Sequence, residues 1–323
     1  MTQIRVVAEN RPAKSRHAVV FCCDANYLPY AALAIHTLLR NNPVRDYDIC
    51  ITSLDELTIP PALEGHDIRM CQIDVGDAFA TIPTPRKLSM TAYLRLVLAE
   101  AFSSEYSRVF YLDCDVFVVG EAINDAFAIN LGECPVGACR DSAKWKKPYR
   151  DTKDQSEAGF HGNYFNSGAL LIDTQKFLDQ DIRAACIQAS NQVAHKLSML
   201  DQPILNIALK DNWMELHPAW NWQWVAVRPM FDMFINVQIL HFIGSSKPWS
   251  DQKDSVPVRY REIARRFMDM YYPHLSQNIG EPAKRLSKRA MVFRILKHLT
   301  RTFKFVDGYN RHGGDIMKVL PPK

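Results

Sequence analysis

Tyr111-Leu112-Asp113-Cys114-Asp115-Val116-Phe117-Val118 is the stretch from which the rest of the chain is read. An apolar run starting at Val109 leads in, two carboxylates follow two residues apart, and a second apolar run leads out. Alternate side chains of an extended chain share a face. Asp113 and Asp115 are therefore expected to face one point, with Cys114 turned the other way. Two readings fit these eight residues. One is a hard divalent cation held at the end of a buried strand, with coordination left over for phosphate oxygens. The other is a polar turn that closes a core strand. Carboxylates converging in apolar surroundings need a counter-charge in either case.

Outward from this stretch, strand-like runs alternate with helical patterns. His17 to Cys23 is apolar and ends at Asp24. Leu33, Ile35, Leu38 and Leu39 then recur at helical spacing after Pro29. Tyr47 to Thr52, Ile68 to Ile73, Pro135 to Cys139, Tyr164 to Ile172 and Val237 to Phe242 read as further strands. Ala122 to Ala128 reads as a short helix. Ser89 is the expected cap of a helix over Thr91 to Phe102 that buries Leu94, Val97, Leu98 and Ala101. Pro203 sits early in a helix opened by Asp201. Ala143 to Gly162 is polar and long for a connection, and reads as a mobile excursion or lid. The alternation predicts an α/β fold with a mainly parallel sheet covered on both faces.

Composition sets the class. Of 323 residues, 47% are hydrophobic and 23% charged, which is ordinary for a globular chain with one large domain and an appendage. Residues 1–16 are polar, expected to be flexible, and lack the apolar core of a signal peptide. No window can span a bilayer. The eight cysteines form no C-x-x-C pair and mostly sit in apolar runs, so free thiols and a cytoplasmic location are expected. The net charge of +4 is uneven: eight basic residues and no acid lie between Lys284 and Lys304. Without them 31 basic residues face 35 acids, a balance of −4. A mildly acidic body offers no extended surface to nucleic acid.

No G-x-G-x-x-G opens the first β-α turn, and neither a phosphate-binding G-x-x-x-x-G-K-[ST] nor a G-x-S-x-G elbow occurs. What remains is Asp24, Asn26, Asp113, Asp115, Asn166 and His241, each at the end of an apolar run, where open α/β sheets bind ligands. At this level the alternatives stay open: Asp24 and Asn26 suit a turn, His241 a half-buried strand, and Lys247 a solvated turn.

The Asp113-Cys114-Asp115 segment resembles the D-x-D motif of nucleotide-sugar-dependent glycosyltransferases. The surrounding blocks resemble glycosyltransferase family 8, which holds retaining lipopolysaccharide galactosyl- and glucosyltransferases and glycogenin. Those blocks are Phe21 to Tyr27, Ser89 to Leu98, Val109 to Val118, Tyr164 to Ile172, Leu200 to Asn206 and the H-x-x-G-x-x-K-P-W of His241 to Trp249.

The resemblance implies a GT-A type fold, Rossmann-like and mixed, with a catalytic domain over 17–275 and a basic amphipathic helical extension over 276–323. It implies a metal set of Asp113, Asp115 and His241 holding Mn²⁺, with Mg²⁺ as the alternative, against the diphosphate of UDP-galactose or UDP-glucose. It implies Asp24, Asn26 and Tyr27 at uracil and ribose, and Gly244 and Lys247 at the diphosphate. Arg95, Cys114, Asn166 and Ser167 fall in the donor site. Gln202, Asp201 and Asp141 fall near the transferred sugar, with Gln202, a poor nucleophile, nearest the anomeric carbon and Asp201 the rival. The expected activity is retaining transfer of a hexose to a saccharide acceptor in lipopolysaccharide core or another surface glycan. A non-catalytic nucleotide-sugar binder with the same fold is the alternative.

The basic tail carries Val292, Leu296, Leu299 and Phe303 near one helical face, which suits an anionic membrane surface on the cytoplasmic side and a glycolipid acceptor. Trp213, Trp220, Trp222 and Trp224 read either as a sugar-stacking platform or as core.

Overall fold

A computed structural model describes residues 4–79, 90–146, 150–193, 201–224, 235–252, 255–280 and 287–321. Ser89, Lys284 and Arg285 fall outside them. Eleven strands are described: β1 (Arg5–Glu9), β2 (His17–Cys22), β3 (Asp48–Ser53), β4 (Ile68–Asp74), β5 (Arg108–Leu112), β6 (Val116–Val118), β7 (Val136–Arg140), β8 (Phe165–Asp173), β9 (Met214–Glu215), β10 (Trp222–Trp224) and β11 (Ile239–Phe242). Eight of them form one sheet in the order β1-β4-β3-β2-β5-β8-β7-β9. Its central β4-β3-β2-β5 block is parallel; β8 runs antiparallel to both of its neighbours, β1 is antiparallel to β4, and β9 returns parallel to β7. A small second sheet, β10-β11-β6, lies beside it.

The apolar runs lack polar alternation because both faces of the large sheet are buried. In β2, Val19 and Phe21 enter the core shared with the helix Leu28–Asn41, while Ala18 and Val20 enter the opposite core with Val109 and Tyr111.

Three expectations need correction. The N-terminal segment is not wholly flexible: Arg5–Glu9 pairs with β4 as an edge strand, and Glu9 and Glu105 meet the buried guanidinium of Arg69. Residues 90–102 are not one helix. Met90–Leu96 winds as a 3₁₀ turn and only Leu98–Phe102 is α-helical. Tyr93, Leu94, Arg95 and Leu96 are all buried, so this segment is enclosed rather than one-faced. The described part of the polar excursion is folded into two short helices, Ser142–Lys146 and Lys153–Ala158, the second opened by a Thr152/Gln155 capping box. Lys144, within that polar run, is buried and lies 3.5 Å from Asp151.

The basic tail forms the helix Lys288–Asn310. Beyond it the chain returns to the large sheet, where Leu320 bridges Glu215 of β9. Glu215 is buried there among Arg140 at 2.6 Å, Arg311 at 3.3 Å and His312 at 3.4 Å. Among the described residues no helix is long and apolar enough to cross a membrane.

Candidate active site

Asp113 and Asp115 occupy the turn that carries the chain from β5 of the large sheet to β6 of the small one. They are not in a regular strand, yet they face one point because each end of the turn is pinned. The backbone N–H of Asp113 donates to Gly168 O at 2.9 Å, and that of Phe242 donates to Asp115 O at 3.0 Å. His241, on β11, points between them. Its Nε2 lies 3.0 Å from Oδ1 of Asp115 and 3.8 Å from Oδ2 of Asp113. One donor atom from each of the three lies within 4.8 Å of the others. Oδ1 of Asp115 is buried and accepts no hydrogen bond, although Nε2 is so close. Two carboxylates, one with an orphaned buried oxygen, and an imidazole fit a divalent cation.

The counter-charges are also in place. Lys247 pairs with Oδ2 of Asp115 and donates to Phe242 O. Burial pushes the Asp115 carboxyl up, but the basic groups facing it, Lys247 among them, hold it below the usual carboxylate range. Arg95 is buried, 4.6 Å over the Tyr111 ring. It reaches Oδ1 of Asp113 at 2.9 Å and Oδ2 of Asp201 at 3.2 Å. Its own Nε donates to Ala92 O at 3.0 Å, a contact the 3₁₀ turn makes available. Burial works against this charge, and Asp113 and Asp201 outweigh it and hold the proton tightly. Tyr111 donates to the same oxygen of Asp113.

A cleft of about 500 Å³ opens above these groups. Asp24, Tyr27, Arg95, Asp113, Cys114, Asp115, Asn166, Ser167, Asp201, Gln202, His241, Gly244 and Lys247 all line it. Gly244 has φ +80°, a conformation that side chains rarely adopt. Two expected residues stand apart. Asn26 is exposed and does not line the cleft; its N–H, with that of Tyr27, is spent on Oδ1 of Asp24 at 3.0 Å. Asp141 closes a local turn through the N–H of Ala143 at 2.8 Å and is also off the wall. The wall instead carries Asp154, brought in by the capped helix. Tyr164 donates to it at 3.3 Å, and burial pushes its carboxyl up.

The tryptophan platform is overturned: Trp213, Trp220, Trp222 and Trp224 are all core, at most 1% exposed. Cys114 does not turn fully away but touches the cleft. Contact with Cys23 and burial push its thiol well up, and burial does the same to Cys22, so both stay neutral. Residues that the sequence did not announce are Asp154, Tyr111, Gly168 and Asn221. Gly168 abuts the His241 ring, and Asn221 lies behind it. Asn221 sits in a tryptophan-rich stretch, and only the pairing of β10 with β11 brings it to the histidine.

Comparison with known proteins bears on the whole of this region. Residues 18–253 match glycosyl transferase family 8. A probable glycosyl transferase, Gly, of Streptococcus gordonii is 27% identical over 198 residues, covering 60% of this chain and 26% of that protein. The lipopolysaccharide 1,2-glucosyltransferase of Escherichia coli is 25% identical over 335 residues, covering 95% of this chain and 94% of that one. Among solved structures, the galactosyltransferase LgtC bound to donor and acceptor sugar analogues superposes with a TM-score of 0.62 at 22% identity, over 83% of this chain and 98% of that one. That likeness is one of fold, the GT-A arrangement of a mixed sheet between helices.

Proposed function

Because the chain belongs to glycosyl transferase family 8, we propose that it moves galactose or glucose from a UDP-sugar to a saccharide hydroxyl, with retention at the anomeric carbon, in lipopolysaccharide core or another surface glycan. The observation that carries this reading is the convergence of Asp113, Asp115 and His241 beneath a cleft whose walls offer Lys247 and Gly244 on one element and Gln202 and Asn166 on others. Asp113, Asp115 and His241 would hold Mn²⁺ or Mg²⁺. When bound, such a cation neutralises a diphosphate and stabilises charge on a departing UDP. Lys247 adds a point charge to the phosphates, and Asp24 and Tyr27 take the nucleoside.

Asp201 is a poor candidate nucleophile, since Arg95 already holds its carboxylate at 3.2 Å. Gln202 has its amide oxygen committed to Asn166 and Ser167. We therefore favour a same-face transfer. The bond from anomeric carbon to phosphate oxygen breaks, the acceptor oxygen bonds to that carbon, and the acceptor proton passes to the leaving phosphate. To Asp154, on the cleft wall, we assign the orienting of the acceptor hydroxyl. The described part of the tail helix leaves Val292, Leu296 and Leu299 about half exposed. We assign this face to an anionic membrane surface bearing a lipid-linked acceptor, with the protein peripheral to its cytoplasmic side.

A donor screen by UDP release, with Mn²⁺ and with chelator, tests the assignment. Cation-dependent release from one UDP-hexose is expected, and Asp113→Ala should remove it. Release that ignores chelator and survives Asp113→Ala would reject the reading.

A further inference from the structure

The polar side chains behind the cation donors form a chain whose direction is set by backbone groups. Oε1 of Gln202 accepts from the N–H of Ser167 at 3.1 Å and from Nδ2 of Asn166 at 3.0 Å. Oδ1 of Asn166 accepts from the N–H of Gly168 at 3.1 Å. A backbone N–H only donates, so neither amide can be turned round. Asn221 is completely buried, and its Nδ2 lies 2.8 Å from that same Oδ1 of Asn166. Its other end, Oδ1, lies 3.0 Å from Nδ1 of His241. An amide oxygen only accepts, so Nδ1 carries the imidazole proton. Nε2, which faces Asp113 and Asp115, is then the nitrogen left for a cation.

We infer that Asn221 is a positioning residue: it holds His241 with its proton on Nδ1 and Nε2 turned to the carboxylates, and through Asn166 it ties the cation site to Gln202. The cation part rests on the reading under Proposed function; the proton position does not. Partners of this kind behind a metal-binding histidine fix its tautomer and ring orientation. The two ends of the chain sit at the two places where the proposed transfer is controlled, the diphosphate and the sugar face.

The test uses the full chain in three forms: wild type, Asn221→Ala and Asn221→Asp. Nitrogen NMR of the histidine rings, with His241 assigned by its substitution, should show the proton on Nδ1 in the wild type without any metal. Calorimetric titration with Mn²⁺ should show Asn221→Ala binding about 10- to 100-fold more weakly. Asn221→Asp keeps an acceptor for Nδ1 but has no donor for Asn166. It should recover most of the Mn²⁺ affinity while kcat stays depressed, a split that a merely structural role would not give. A wild-type His241 protonated only on Nε2 overturns the assignment. So does a folded Asn221→Ala protein that binds Mn²⁺ as the wild type does; where Asn221→Ala does not fold, an Asn221→Asp protein with wild-type kcat overturns it instead. Wild-type protein with its proton on Nδ1 that binds no Mn²⁺ overturns the metal reading instead.

Discussion

A methyl group at position 168 would stand 2.2 Å from Cε1 of His241 and 2.7 Å from Oδ2 of Asp113. The ring it meets is 4% exposed and hydrogen-bonded behind to Asn221, so it has little room to retreat. Gly168→Ala is therefore expected to cost about 1–3 kcal/mol of stability through overpacking. It should weaken Mn²⁺ binding more than the loss of stability alone explains, as melting and calorimetry together would show. Unchanged Mn²⁺ affinity in a folded Gly168→Ala protein would contradict the packing described. Arg95→Ala should be worse for the fold, since it leaves Asp113 and Asp201 without their shared cation; loss of one partner from a buried pair costs about 3–5 kcal/mol. Added Mn²⁺ should restore part of that melting temperature. The sequence made Asp113, Asp115, His241 and Lys247 legible because their spacing is local and their chemistry unusual in apolar runs. It left Asn221 and Asp154 illegible because an asparagine among tryptophans and an aspartate in a charged stretch look like structure and solvent.

At the scale of elements, the strands were legible because two-sided burial leaves uninterrupted apolar runs. The edge strand Arg5–Glu9 was not: three of its five residues are charged or small, four are exposed and the fifth partly so, and its anchorage lies in Arg69, far along the chain. The return of the chain end to β9 was equally hidden, because Glu215 and Arg311 become partners only in the fold. Acid should loosen that return. His217 is buried, and burial first, with His312 beside it, lowers its pKa from 6.5 to about 4. The folded state keeps it neutral while the unfolded chain takes up a proton below 6.5. Stability therefore falls as pH drops from 6.5 to 4, by on the order of 3 kcal/mol, and levels off below. Glu215 acts in the same direction at lower pH. Burial works against its charge, but His312 and Arg140 bring its pKa from 4.5 to about 2, so its contribution is lost as pH falls through that interval. Melting temperature against pH should show both phases, and His217→Asn should flatten the upper one.

At the scale of the molecule, the tail is more than an appendage, since the segment after its helix is held against the large sheet. Truncating residues 284–323 would remove that segment too. The membrane assignment is better tested by Val292→Glu with Leu296→Glu in the full chain. Flotation on vesicles containing anionic lipid should be lost in the double variant and kept in the wild type. Equal flotation of both would dismiss the assignment. The mainly parallel, doubly covered sheet was legible because strands alternate with helices along the chain, whereas its GT-A character was legible only through the resemblance of the motif blocks, and the strand order is set by long-range pairing. The small sheet was less so, because β10, β11 and β6 are short and come from distant parts of the chain.

That small sheet carries a consequence of its own. Asp113 leaves the large sheet at β5, whereas Asp115 enters, and His241 belongs to, the small one. An ion seated among them would rivet two sheets otherwise joined at this point by one turn and by the hydrogen bonds from Asn166 through Asn221 to His241. Heat tolerance then becomes a gauge of loading: at a hundred times its dissociation constant the ion should add about 2.7 kcal/mol, and titrating melting temperature would report occupancy before any sugar is supplied.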